Sequence, residues 1–253
     1  MKISIIGSGN VATHIAKALN LAGVEIAQIW SFHYENAQIL AKLVNAKAVK
    51  ELNDLNSGSD ICIIAVKDDA IPAIVYQLKD YKGLLAHTSG AVDLGVFEGH
   101  TSDYGVFYPL QTFSKQKELD FSKVPLCLEA KNANVLKELS ALASLLSKNI
   151  YEIDSEKRKI LHLSAVFACN FTNHLYVLAQ QILAHYEIDF DIIRPLIEET
   201  AHKVQTALPL NVQTGPAIRN DQQTLAKHEA LLQEMPQLLE IYRILSESIK
   251  KNR

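Results

Sequence analysis

At 253 residues the chain exceeds a typical single domain, so two domains are expected. Hydrophobic residues make up 48% and charged residues 21%, the balance of an ordinary globular protein with a full core. A formal net charge of −3 without a basic run argues against a nucleic-acid partner, no apolar run approaches the roughly 20 residues of a membrane span, and the start of the chain lacks a signal-like segment, which points to the cytoplasm.

Residues 2–6 form a short apolar run that ends in Gly7-Ser8-Gly9, the pattern of a buried parallel strand. From Asn10 the apolar period becomes helical through Val11, Ile15, Ala18, Leu19 and Ala22, and Gly23 closes the helix. A strand over 25–30 and a helix over 35–44 follow. Residues 61–66 (Ile-Cys-Ile-Ile-Ala-Val) are the clearest buried strand, and Asp68-Asp69 is placed to cap a helix carrying Ile71, Ile74, Val75 and Leu78. Strand segments at 84–87, 104–108, 126–129 and 150–153, with a helix over 132–146, complete this half. The alternation predicts an α/β fold, a Rossmann-type doubly wound sheet covered on both faces.

Strand signals stop after Ile153. Helices are expected over 156–184, 191–207, 221–232 and 236–250, so an all-α C-terminal domain at 154–253 follows the α/β domain at 1–153. Cys62, Cys127 and Cys169 lie apart in apolar stretches without a CxxC pair, so buried free thiols are expected. The nine histidines form no spaced ligand pair with an acid, so no metal site is expected.

Gly7-Ser8-Gly9-Asn10-Val11-Ala12 matches G-x-G-x-x-A between strand and helix. In that setting Gly7 permits the tight turn, Gly9 lets backbone approach a diphosphate, and Ala12 allows close helix–strand packing. The helix N-terminus then offers N–H donors and a positive dipole end to phosphates. The second strand ends in Trp30-Ser31-Phe32-His33, without the acid that binds the ribose hydroxyl of NAD. Ser31 and His33 are candidates for a 2′-phosphate, so NADP is the expected cofactor and NAD the second choice.

Ligands of an open parallel sheet bind beyond the strand carboxyl ends. That places Val66-Lys67-Asp68 and His87-Thr88-Ser89-Gly90 near the reactive end of a dinucleotide, with helix capping and a plain turn as the structural alternatives. On the helix after Ile153, Lys159, His162, Asn170 and Asn173 fall within an arc of about 80° at about 100° per residue. Such a polar stripe needs water or partners, and an interdomain cleft or open solvent would supply them. Farther on, Thr214-Gly215-Pro216 breaks the helices. Arg219 is suited to gripping a carboxylate or phosphate, or pairs with Asp221, which is placed to cap the next helix.

In order, GSGNVA, residues 65–71 (AVKDDAI), HTSG at 87–90, YPLQTF at 108–113 and TGP at 214–216 resemble the NADP-oxidoreductase-like proteins whose C-terminal half is the domain of unknown function 2520. That family is similar in architecture to pyrroline-5-carboxylate reductase and to the 6-phosphogluconate and β-hydroxyacid dehydrogenases. The resemblance implies a homodimer and a small-molecule substrate between the domains. The Lys–Asn pair of the β-hydroxyacid enzymes does not carry over, since Lys159 lies eleven residues before Asn170, and Phe32 stands where NADP-using relatives have Arg. The expected activity is an NADP-dependent oxidoreductase. His162 or His87 would be the general acid, Asn170 and Asn173 would position substrate, and Ser89, Thr214 and Arg219 would bind it. The alternative is a non-catalytic nucleotide sensor or dimeric scaffold.

Overall fold

The computed structural model describes residues 1–55 and 58–252. The N-terminal part runs β1 (Lys2–Ile6), α1 (Asn10–Leu21), β2 (Glu25–Trp30), α2 (Tyr34–Leu43), β3 (Lys47–Val49), β4 (Ile61–Ile64), α3 (Ile71–Gln77), β5 (Leu84–His87), β6 (Tyr104–Pro109), β7 (Leu126–Ala130), α4 (Ala133–Ser144) and β8 (Ile150–Glu152). One eight-stranded sheet has the order β3-β2-β1-β4-β5-β6-β7-β8. The first six strands are parallel and form the doubly wound arrangement expected.

Side chains alternate between the two faces of each strand. Ile3 and Ile5 belong to one core cluster with Ile15, Leu19 and Leu142, while Ile6 belongs to another with Ile64, Ile71 and Val75. Each such isoleucine is fully buried, which stabilises by about 1.5–3 kcal/mol. Two features of the sheet depart from the expected pattern. β3 is a three-residue edge strand, too short to show a period. β7 runs antiparallel to β6 because residues 110–125 connect them without a crossover helix, whereas α4 restores a parallel step from β7 to β8.

The C-terminal helices are α5 (Ser155–Ala165), α6 (Thr172–His185), α7 (Arg194–Thr206), α8 (Pro216–Arg219), α9 (Gln222–Leu231) and α10 (Pro236–Lys251). The helix expected over 156–184 is present but interrupted by a π-helical segment, Val166–Phe171. The constant 100° step therefore fails, and the single arc inferred for Lys159, His162, Asn170 and Asn173 does not hold. The chain divides into two compact units, Met1–Asn170 and Phe171–Arg253, so α5 belongs to the first.

Within the second unit, Asp221 caps α9 by accepting from the backbone N–H and hydroxyl of Thr224, at 3.1 and 2.8 Å. Neither α6 nor α7 has a buried residue, and Ile192 and Leu196 are 70% and 65% exposed. Cys62 and Cys127 are buried as expected, but Cys169 is exposed on the π-helical segment. No helix among the described residues is long and apolar enough to cross a membrane.

Candidate functional site

The turn between β1 and α1 is built around two glycines with different jobs. Gly7 has φ of +117°, its N–H donates to the Trp30 carbonyl at 2.7 Å, and a Cβ there would sit 2.1 Å from the Ala65 carbonyl oxygen. Gly7 thus lets the turn nest against two strands. A Cβ on Gly9 would meet nothing within 4 Å, so the backbone there faces open space. Gly9 is also the N-cap of α1, with no side-chain cap and no acid in the first turn. The first N–H groups of α1 are left for a ligand. Ala12 is buried under the sheet and serves packing, not contact.

A cavity of about 1080 Å³ opens over these strand ends, within the first unit. That volume stands at the top of the range for cofactor clefts. Its floor is Gly7, Ser8, Gly9, Asn10 and Val11. One end is walled by Trp30, Ser31, Phe32, His33 and Asn36, where the Ser31 and Ser8 hydroxyls are hydrogen-bonded at 2.7 Å and Phe32 is 85% exposed. Val66, Lys67 and Asp68 line the middle. Asp68 and Asp69 cap nothing with their side chains, in contrast to the expectation. The chain first makes a 3₁₀ turn over Asp68–Ala70, and α3 begins only at Ile71 with Pro72 in its opening turn.

The other end joins Ser89 and Gly90, which follow β5, to Tyr108 on β6 and His162 on α5. The Tyr108 hydroxyl lies 2.9 Å from His162 Nδ1. Burial pushes the phenol up to about 12, so at neutral pH it keeps its proton, and the tautomer of His162 decides which of the two groups donates. Gly90 makes this pairing possible, because a Cβ there would fall 2.6 Å from His162 Nδ1 and 2.8 Å from Tyr108 Cζ.

His87 is placed differently from the expectation. Its ring is fully buried, stacks on Phe97 with centroids 5.6 Å apart and does not line the cavity. Nδ1 accepts from the Ser89 N–H at 3.2 Å. Burial first, then the nearby Arg158 cation, lowers its pKa to about 3. A neutral ring held away from the cavity supports the turn and has no path to a substrate. Lys159 is occupied by Asp93 and Glu156, at 2.9 and 3.1 Å. Asn170 is exposed at the end of the first unit. Asn173, Thr214 and Arg219 belong to the second unit, where each is exposed.

Two features of this region escaped sequence reasoning. Tyr108 stood in a motif without a role, and its partner lies 54 residues away. Arg158, fully buried in the first turns of α5, pairs with Glu129 of β7, donates to the Val92 carbonyl at 2.5 Å and to Ser155 Oγ at 3.1 Å. Ser155 Oγ in turn donates to Glu129 at 2.8 Å and accepts from the Leu94 N–H at 2.9 Å. This cluster ties α5 to β7 and to the loop that follows Gly90, one helical turn before His162. Among the described residues no group of three or more metal-ligating side chains gathers.

The fold and the glycine-floored cavity define a Rossmann-type dinucleotide-binding protein. The chain belongs to the NADP-oxidoreductase-like family whose C-terminal part is the domain of unknown function 2520. The model of that domain matches residues 124–249, and the model described as "NADP oxidoreductase coenzyme F420-dependent" matches residues 2–87. The crystal structure of "putative NADP oxidoreductase BF3122" from Bacteroides fragilis is 43% identical, with 99% of this chain and 98% of that one covered and a TM-score of 0.93. The fold is shared at greater distance with an imine reductase from Myxococcus stipitatus in complex with NADP+ (17% identity, 99% and 92% covered, TM-score 0.72). It is shared as well with 1-pyrroline-5-carboxylate reductase from Streptococcus pyogenes (14% identity, 99% and 98% covered, TM-score 0.66). A comparison with curated proteins finds no match.

Proposed function

We propose that this protein is an NADP-dependent reductase of a small carbonyl or imine compound, with Tyr108 and His162 supplying the proton. One observation carries the reading: the cavity that begins at the open glycine turn ends at a hydrogen-bonded phenol–imidazole pair. The residues present fit a dinucleotide. The Gly9 backbone is unobstructed, the α1 amides are uncapped, and Ser31 and His33 stand at the end of β2 where the ribose phosphate belongs. The missing acid at that position favours NADP, in keeping with the family.

When bound, NADPH supplies the hydride. The protein holds the diphosphate on the α1 amides and presents Tyr108 to the oxygen or nitrogen that gains the proton. Tyr108 gives up its phenolic proton as that atom becomes basic, and the His162 ring, in its Nδ1–H tautomer, returns one to the phenolate oxygen while Nε2 takes up a proton from solvent. Holding the phenol near 12 keeps it neutral before reaction, so it donates only when negative charge develops on the substrate. Ser89 is fixed by accepting the N–H groups of Ala91 and Val92, both at 3.0 Å, and offers its hydroxyl proton to the same region. Asn170, Asn173, Thr214 and Arg219 carry no part of this reading.

Purified protein with NADPH should consume the coenzyme when offered a panel of cyclic imines, keto acids and aldehydes. On the best substrate, His162→Ala and Tyr108→Phe should each lower kcat by about 10²–10⁴-fold, with NADPH affinity within about two-fold of the parent. Turnover that survives both changes would remove the pair from the chemistry. Tight NADPH binding with no turnover of any class would favour a sensor.

A further inference from the structure

The segment after β6 contributes more to the cavity than its lack of regular structure suggests. It is fastened to the first turns of α1 at two successive residues. Asn10 Nδ2 donates to the Phe113 carbonyl at 2.9 Å, and His14 Nε2 donates to the Ser114 carbonyl at 2.9 Å. The carbonyl can only accept, so this bond fixes the proton of His14 on Nε2. The Phe113 ring also packs against His14, centroids 5.3 Å apart, and against Phe121 at 6.3 Å. Asn10 is itself part of the glycine turn, so whatever follows Ser114 is held beside the mouth of that turn.

The next residue is Lys115, which lines the cavity together with Gly9 and Asn10. Among the described residues it has no carboxylate partner. The cavity wall holds one other lysine, Lys67, and one carboxylate, Asp68, so its charge balance suits an anionic ligand. Resting on the coenzyme reading above, we infer that Lys115 is a second grip on the coenzyme diphosphate, reaching over it from the loop while the α1 amides hold it from below. The chain places no arginine at this position. A flexible ammonium on a pinned backbone supplies the counter-charge as a point charge.

Because the diphosphate is common to both nicotinamide coenzymes, Lys115 should strengthen them alike. The test is titration of the purified protein with NADPH and with NADH, followed by coenzyme fluorescence, at two salt concentrations. Lys115→Ala should weaken both coenzymes by about five-fold and Lys115→Glu by about thirty-fold, with a shallower salt dependence than the parent. A parent that binds while both variants match it would overturn the Lys115 assignment and leave the coenzyme reading standing. Weakening of NADPH alone would move Lys115 to the 2′-phosphate and overturn the diphosphate assignment. A parent that binds neither coenzyme would overturn both.

Discussion

Gly9→Asp is expected to weaken NADPH binding by about a hundred-fold or more while the protein melts at its normal temperature. The backbone at Gly9 has φ −72° and ψ −171°, an extended geometry open to any L-residue, and nothing stands within 4 Å of the added Cβ. Aspartate is also a preferred N-cap, so α1 should be held at least as firmly as before. Its carboxylate would occupy the amides that a phosphate needs and repel the diphosphate at close range, where each like-charge pair costs about 4 kcal/mol at intermediate dielectric. Calorimetric titration and a thermal melt of the same sample separate the two effects. Unchanged affinity would show that phosphates do not meet this turn. A collapsed melt would show that Gly9 is structural, as the clash with the Ala65 carbonyl makes Gly7.

The second large effect belongs to the buried Arg158. In Arg158→Ala, the Glu129 carboxylate, itself only 16% exposed, would lose its cation, while the Val92 carbonyl and Ser155 would each lose a donor. Breaking a buried ion pair from one side costs about 3–5 kcal/mol, because the remaining charge is stranded. For a chain of this size the melting temperature should fall by about 10 °C. Arg158→Met combined with Glu129→Leu should recover most of the loss, since no charge is then left alone. A single variant that melts within a degree or two of the parent would mean that the cluster is solvated in solution and does not hold α5 in place. The cost should not be confined to stability. His162 lies four residues after Arg158, so slack in α5 would lengthen its contact with Tyr108.

What could be read in the chain divides along the range of the interactions involved. The glycine turn, α1 and the buried strands rest on neighbours within a dozen residues, and their period and punctuation are visible directly. β3 was invisible because three residues show no alternation, and the reversal at β7 because strand direction depends on whether the connection crosses over. Asp68 and Asp69 lose the capping role because the chain makes a 3₁₀ turn there and α3 begins only at Ile71. The π-helical segment shifts the helical phase without an obvious residue marker.

The site was legible on one side only. His162 stood out as a polar group on an apolar helix, and HTSG as a polar turn at a strand end. Assigning chemistry to His87 failed because a histidine at the end of a buried strand can point into the core, and here Phe97 covers it. Arg158 drew no reading from the sequence, where it is one of four charged residues in a run, Glu156-Lys157-Arg158-Lys159. Only the pairing of β7 with β6, which brings Glu129 beneath α5, makes it a buried cation. Tyr108 gains its meaning from a partner 54 residues away, and Lys115 from the fastening of its neighbours Phe113 and Ser114 to Asn10 and His14, 103 and 100 residues away, beyond the reach of spacing.

A crystal structure with bound NADPH tests the reading most directly. The diphosphate should rest on the amides of Gly9, Asn10 and Val11, with the nicotinamide ring between Ser89 and the Tyr108–His162 pair. A nucleotide bound elsewhere, or a ring turned away from that pair, would contradict it.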